Sequence, residues 1–88
     1  MKQQVGVYAI LNKVTGRRYV GSSIDLARRK RTHFRKLRAG TSTSVKLQRS
    51  WDKHGVACFE FEVLEAMDPS TTETALRGAE QAWIDRFN

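Results

Sequence analysis

The sequence predicts an α/β fold of the α+β kind, a three-stranded antiparallel sheet flanked by helices in the order β-β-α-α-β-α. Three observations carry this: two β-prone runs joined by a short polar turn, three segments with apolar residues at helical spacing, and one run in which aromatic and acidic residues alternate. Eighty-eight residues, 40% of them hydrophobic, supply one modest core and leave no room for a second. Residues 1–88 therefore read as a single domain.

Residues 5–11 read Val-Gly-Val-Tyr-Ala-Ile-Leu and residues 17–22 read Arg-Arg-Tyr-Val-Gly-Ser, with Asn12 to Gly16 between them. This is the signature of a hairpin. With Asn12, Lys13, Val14 and Thr15 as the loop, Leu11 faces Gly16, and Tyr8 falls directly opposite Tyr19 on one face of the sheet. The first helix starts at Asp25, an N-cap residue, and runs to about Arg38, with Gly40 as its stop. After a loop at 39–43, a second helix runs from Ser44 to His54, with Leu47 and Trp51 on one face and Gly55 placed for a left-handed cap. In the third strand Phe59, Phe61 and Val63 form a buried side and Glu60 and Glu62 a wet one. Pro69 precedes Ser70-Thr71-Thr72-Glu73, which matches a capping box for a third helix reaching about Phe87.

The net charge of +7 conceals an asymmetry. Residues 1–51 hold thirteen Lys/Arg against one acid, Asp25, and residues 52–88 hold three against eight acids, so the halves carry +12 and −5. Seven of the sixteen basic residues lie on the first helix. Such a surface suits a polyanion, because Lys and Arg contacts to phosphates release counterions. From charge alone, a solvated basic face and an anionic membrane surface are the competing readings. On the nucleic-acid reading, Arg28, Lys30, Arg31 and Arg35 of the first helix and Lys46 and Arg49 of the second are the DNA-binding residues. A single cysteine, Cys58, excludes an internal disulfide, and no Cys/His group has zinc-finger spacing. The N-terminal apolar run is too short for a signal peptide or a membrane span, so the expected compartment is the cytoplasm.

Glu80 is the residue whose position conflicts with its chemistry. At about 100° per residue it falls inside the stripe formed by Leu76, Trp83, Ile84 and Phe87. A carboxylate aimed at a core requires a cation, either Arg, Lys or a metal ion, and periodicity alone favours a buried salt bridge or a carboxylate at the stripe's edge over a metal ligand. On the first helix, Arg29 and His33 lie four apart along one flank of the Leu26, Phe34 and Leu37 face, where both can reach one phosphate. Spacing alone favours a solvated arginine and a boundary histidine. Lys30, nearer the apolar face, is expected to snorkel. Tyr8 and Tyr19 are either half-buried strand aromatics or phenols that orient or deprotonate a water, helped by nearby cations that lower a phenol's pKa. Gly6 and Gly21 flank them, as glycines do where a backbone or ligand comes close or where a strand bulges.

Gly6-Val7-Tyr8, then Tyr19-Val20-Gly21-Ser22, then Arg29, His33 and Glu80 in that order resemble the GIY-YIG nuclease domain. The similarity covers nearly the whole chain. Through residues 44–50 and 52–55 it is strongest to phage and intron-encoded homing endonucleases. It implies a divalent-metal-dependent DNA endonuclease with Tyr8, Tyr19, Arg29, His33 and Glu80 as active-site residues. Glu80 would hold a single Mg²⁺ or Mn²⁺, no small-molecule cofactor would be needed, and the chain would be intracellular and encoded by a phage or mobile element. Two departures from the family pattern stand out. Thr41-Ser42-Thr43 occupies the loop where relatives carry a second histidine, and the chain stops at Asn88, before the active-site asparagine and separate DNA-binding region usual in relatives. An excised catalytic domain or a reduced protein, with low sequence specificity, is therefore expected. The alternatives are a non-catalytic basic nucleic-acid-binding module, in which Glu80 pairs with an arginine, and a nuclease subunit of a repair or restriction assembly.

Overall fold

The most apolar strand takes the middle of the sheet, where both of its faces are covered. In the computed structural model, which describes residues 4–87, β1 (Val5–Asn12) pairs antiparallel with β2 (Arg18–Ser23) on one side and β3 (Phe59–Met67) on the other, giving the order β2-β1-β3. Helices α1 (Leu26–Ala39) and α2 (Val45–His54) follow β2, a 3-10 turn at Val56–Cys58 leads into β3, and α3 (Glu73–Phe87) closes the order. The predicted fold class and element order are those observed.

Side-chain alternation along β1 divides the core in two. Tyr8 and Ile10 point to the layer of α1 and α2, packing with Leu26, Leu37, Leu47, Trp51 and Phe59. Val5 and Val7 point the other way, against Leu76 of α3, with Val20, Leu64 and Trp83 around them. The sheet is thus sandwiched between two helical layers, and β2 is a free edge on which both layers end.

The hairpin register differs from the expected one. Ile10 pairs with Tyr19, and Tyr8 pairs with Gly21. The turn lies one residue later than predicted, because Asn12 belongs to the strand. Its N–H donates to the Arg17 carbonyl at 2.9 Å, and Gly16, with φ of 76°, donates back to the Asn12 carbonyl at 2.8 Å. The Asn12 side chain fixes the turn by accepting from the N–H groups of Val14 and Thr15, and its Nδ2 donates to Ser50 on α2 at 2.8 Å. Moving a turn by one residue moves the register by two, so Tyr8 and Tyr19 remain on one face as predicted, but diagonal to each other.

Two further expectations are corrected. Val63 keeps the face of Phe59 and Phe61, paired with Tyr8, but it is 45% exposed rather than buried, and just beyond it a bulge in β3 pairs Val7 with Glu65. The extra residue, Leu64, packs on the α3 side. Gly6 serves this bulge, since a Cβ there would strike the Glu65 carbonyl oxygen. Glu62 is half-buried rather than wet and bonds Arg18 at 2.5 Å. The cap of α3 is Thr72, whose Oγ1 accepts from the Ala75 N–H at 3.1 Å, and not Ser70. Asp68 captures Ser70 first, accepting from both its N–H (2.8 Å) and its hydroxyl (2.6 Å), so the helix starts after that turn.

The other caps stand where predicted: Asp25 accepts from the Arg28 N–H at 3.1 Å, and Ser44 from the Leu47 N–H at 3.3 Å. Gly55 has a positive φ of 85° but ψ of 162°, a region open essentially to glycine alone rather than the left-handed helical one expected.

Candidate active site

Tyr8 stands at the centre of β1, and its ring reaches out across β2 because residue 21 is glycine. A Cβ on Gly21 would lie 2.6 Å from the Tyr8 Cζ, well inside contact distance. The ring stacks on Phe61 with centroids 4.9 Å apart, and its Oη lies 2.7 Å from His33 Nε2 on α1. Burial pushes the Tyr8 phenol up to about 12, outweighing the Arg29 charge that lowers it, and Glu80 adds to the rise. The expectation that neighbouring cations lower this phenol is therefore reversed: desolvation is the larger effect. His33 is held below its ordinary value, first by burial and then by Arg29 and Lys36. At neutral pH both groups are uncharged, so Tyr8 keeps its proton and one His33 nitrogen is free to accept one. Tyr19, half-buried, lines the same cleft as Tyr8 and His33, and the Arg17 guanidinium lies 5.7 Å from its ring centre.

Glu80 sits on the other helical layer. It is half-buried, and its Oε1 accepts a 2.6 Å hydrogen bond from the Ser22 hydroxyl at the end of β2. Of the two arrangements that periodicity favours, the salt bridge is not formed, and half-burial fits a carboxylate at the edge of the stripe. Among the described residues the two ion pairs are Arg18–Glu62 and Arg77–Glu73. Of the apolar stripe, Leu76 is buried and Trp83 and Ile84 are half-buried, but Phe87 is 40% exposed beneath the Arg18 guanidinium. No three His, Cys, Asp or Glu side chains cluster as a metal-binding group among the described residues. Glu80 is a hard oxygen donor without a competing cation. That fits an ion such as Mg²⁺, which takes one or two carboxylates and completes its shell with water and phosphate oxygens.

Because β2 is an edge strand, side chains from the two layers meet beyond it. Arg29 of α1 and Glu80 of α3 line one cleft together with Ser22 and Ser23. Arg29 acts electrostatically on both Tyr8 and His33, and Glu80 on Tyr8, so all four share one neighbourhood. Arg29 is exposed, as are Arg28, Lys30, Arg31 and Arg35 on α1 and Lys46 and Arg49 on α2. The Lys30 Nζ lies 6.0 Å from the Phe61 ring centre, the predicted snorkel. Ser22 and Asn12 were not singled out by sequence reasoning. A buried asparagine at a turn carries a weak signal as an Asx residue, and the Ser22 contact carries none, since it joins positions 58 apart.

The GIY-YIG catalytic domain family matches residues 4–88. Intron-associated endonuclease 1 of Enterobacteria phage T4 is 39% identical over 83 residues, which is 94% of this chain and 33% of that protein. Probable intron-encoded endonuclease 1 of Neurospora crassa is 28% identical over 91 residues, covering 100% of this chain and 29% of its own length. The chain spans about a third of the length of these curated relatives. Among solved structures, the catalytic domain of homing endonuclease I-TevI superposes with a TM-score of 0.89 at 36% identity, over 96% of this chain and 88% of that one. A glutamate-to-alanine mutant of the I-TevI catalytic domain gives 0.87 at 35% identity, over 98% and 86%. No helix among the described residues is long and apolar enough to cross a membrane. A family match from residue 4 to residue 88, carried on a frame that superposes almost end to end, settles the membership: the chain belongs to the GIY-YIG family of nuclease catalytic domains.

Proposed function

We propose that residues 1–88 act as one unit that hydrolyses DNA phosphodiester bonds with a single divalent ion, Mg²⁺ or Mn²⁺, and with little sequence preference of its own. The observation that carries this reading is Glu80, a half-buried carboxylate oriented by Ser22, free of any ion pair among the described residues, and facing the same cleft as Arg29. Glu80 would hold the ion, with Ser22 fixing the carboxylate. When bound, the ion supplies charge stabilisation at the phosphate and its leaving oxygen.

The remaining steps belong to the chain's own side chains. Arg29 clamps the scissile phosphate with its fork of N–H donors. Tyr8 aligns the attacking water through Oη. With its phenol at about 12, standing tyrosinate is scarce at neutral pH, so Tyr8 passes its proton to His33 Nε2, 2.7 Å away, as it takes one from the water. Tyr19 lines the cleft beside them and positions the phosphate. The exposed Arg28, Lys30, Arg31, Arg35, Lys46 and Arg49 hold flanking phosphates.

The non-catalytic reading needs Glu80 paired with an arginine, and no such pair exists among the described residues. The curated relatives are about three times longer than this chain, which supports assigning site recognition to a region outside these residues, in an intracellular protein of a phage or mobile element. Supercoiled plasmid incubated with the purified chain tests the reading: nicking is expected in Mg²⁺ or Mn²⁺ and none in EDTA. Cutting that persists in EDTA, or none with either ion, would overturn it.

A further inference from the structure

Beside the cleft that holds Tyr8 and His33, the hairpin turn and α2 form a second groove. Arg17, Lys46, Arg49, Lys53 and His54 line it around the Tyr19 ring, and no acidic residue lines it. Lys46, Arg49 and Lys53 are spaced i, i+3, i+7 and share one face of α2, opposite buried Leu47 and Trp51. None of Arg17, Lys46, Arg49 and Lys53 is in an ion pair among the described residues, so their charge is uncompensated. The groove is held rigid from beneath, because the fully buried Asn12 closes the turn and bonds Ser50 of α2 at 2.8 Å.

Arg17 and Tyr19 also line the cleft with Tyr8 and His33, so the two depressions share a wall. We propose that this groove binds the sugar–phosphate backbone of DNA to one side of the bond being cut. The strand would run from Tyr8 and His33 over Arg17 and Tyr19 onto α2. Lys46 to Lys53 spans about 10 Å of helix axis at roughly 1.5 Å per residue, the axial rise of about three nucleotides of one strand. The inference rests on the nuclease reading for its substrate, but it makes a claim about binding that needs no metal.

The test uses the whole chain in EDTA. Affinity for a duplex is measured by fluorescence anisotropy between about 50 and 200 mM salt, for wild type and for Lys46→Gln/Arg49→Gln/Lys53→Gln. The slope of log affinity against log salt should shrink by about 2.7 for three lost phosphate contacts. Arg17→Gln, on a different element, should shrink it by about 0.9 and carries the test if the triple variant melts early. Arg86→Gln on α3, outside both clefts, should leave the slope as it is. Slopes for Arg17→Gln and the triple variant that match wild type overturn the groove. A shrunken slope in a protein that never nicks plasmid in Mg²⁺ upholds the groove and overturns the nuclease reading instead.

Discussion

Gly21→Ala should cripple cleavage while leaving the fold intact. The new Cβ would stand 2.6 Å from the Tyr8 Cζ, whereas carbons rest at about 3.5 to 4.0 Å, so the rigid ring must retreat by about 1 Å. It cannot do so freely, being buried against Phe61 and bonded to His33 at 2.7 Å. A retreat of that size takes Oη out of hydrogen-bonding range of Nε2 and away from the water it is proposed to align. Misplacement by about 1 Å costs on the order of 10²-fold in rate, and the overpacking itself about 1 to 3 kcal/mol of stability. Single-turnover plasmid nicking and thermal melts read the two effects separately. If the damage acts through the Tyr8 hydroxyl, adding Gly21→Ala to Tyr8→Phe should lower the rate little further, because the group being displaced is already gone. A Gly21→Ala protein that cuts at the wild-type rate, or a double variant whose losses multiply, would refute the reasoning.

Tyr8→Phe and Arg29→Ala should each lower the nicking rate by about 10² to 10⁴ with far smaller changes in duplex affinity, read by anisotropy in EDTA. Glu80→Gln should abolish cleavage and melt close to wild type, because Glu80 pairs with a hydroxyl and not a buried cation; a loss of about 3 to 5 kcal/mol would instead reveal a hidden salt bridge. His33 has its folded pKa below the unfolded value of about 6.5, so the stability it contributes is present above that pH and is lost as pH falls through the folded value. The nicking rate should likewise hold through pH 6.5 and drop only below it, and a pH–rate profile with its acid limb above about 6.5 would contradict this. Tyr8, raised to about 12, contributes stability that is complete below about pH 10 and disappears as pH climbs through 12. Ultraviolet titration should show a phenol ionising near 12 that is missing from Tyr8→Phe.

Helix starts were the most legible part of the fold, because a cap is a local event: Asp25 and Ser44 act on N–H groups three residues away. Where two local events compete, pattern reading picks the wrong one. Ser70 fits a capping box, but Asp68 takes its hydroxyl and N–H first, and Thr72 caps instead. The same holds at the hairpin, where Asn12 was read as loop although its side chain builds the turn from a strand position. The bulge at Leu64 left no local trace and was found only through strand pairing. For the site, periodicity exposed Glu80 as a carboxylate in or at the edge of an apolar stripe but could not give its partner, since Ser22 is brought near only by packing α3 on the sheet. The sign of the Tyr8 shift was missed because nearby charge is legible in a sequence and burial is not.

The position of the site at a sheet edge explains why the charge asymmetry along the chain matters for chemistry. The basic residues of the first half collect on α1 and α2, while the third strand and third helix carry most of the acids, and β2 is the border between the layers. A phosphate drawn to the basic layer at Arg29 must therefore approach the carboxylate of Glu80 across one shared cleft. Two anions so close repel each other, which disfavours DNA on the metal-free domain. On the proposed reading, a divalent cation held by Glu80 would turn that repulsion into attraction. Ion and DNA would then each raise the affinity of the domain for the other by the same factor, as linkage requires. With typical couplings of about 1 to 3 kcal/mol, a single carboxylate too weak to retain an ion alone would become sufficient once DNA is bound. Removing the Glu80 charge should thus raise metal-free affinity for DNA while abolishing cleavage, a combination that a purely structural carboxylate would not produce.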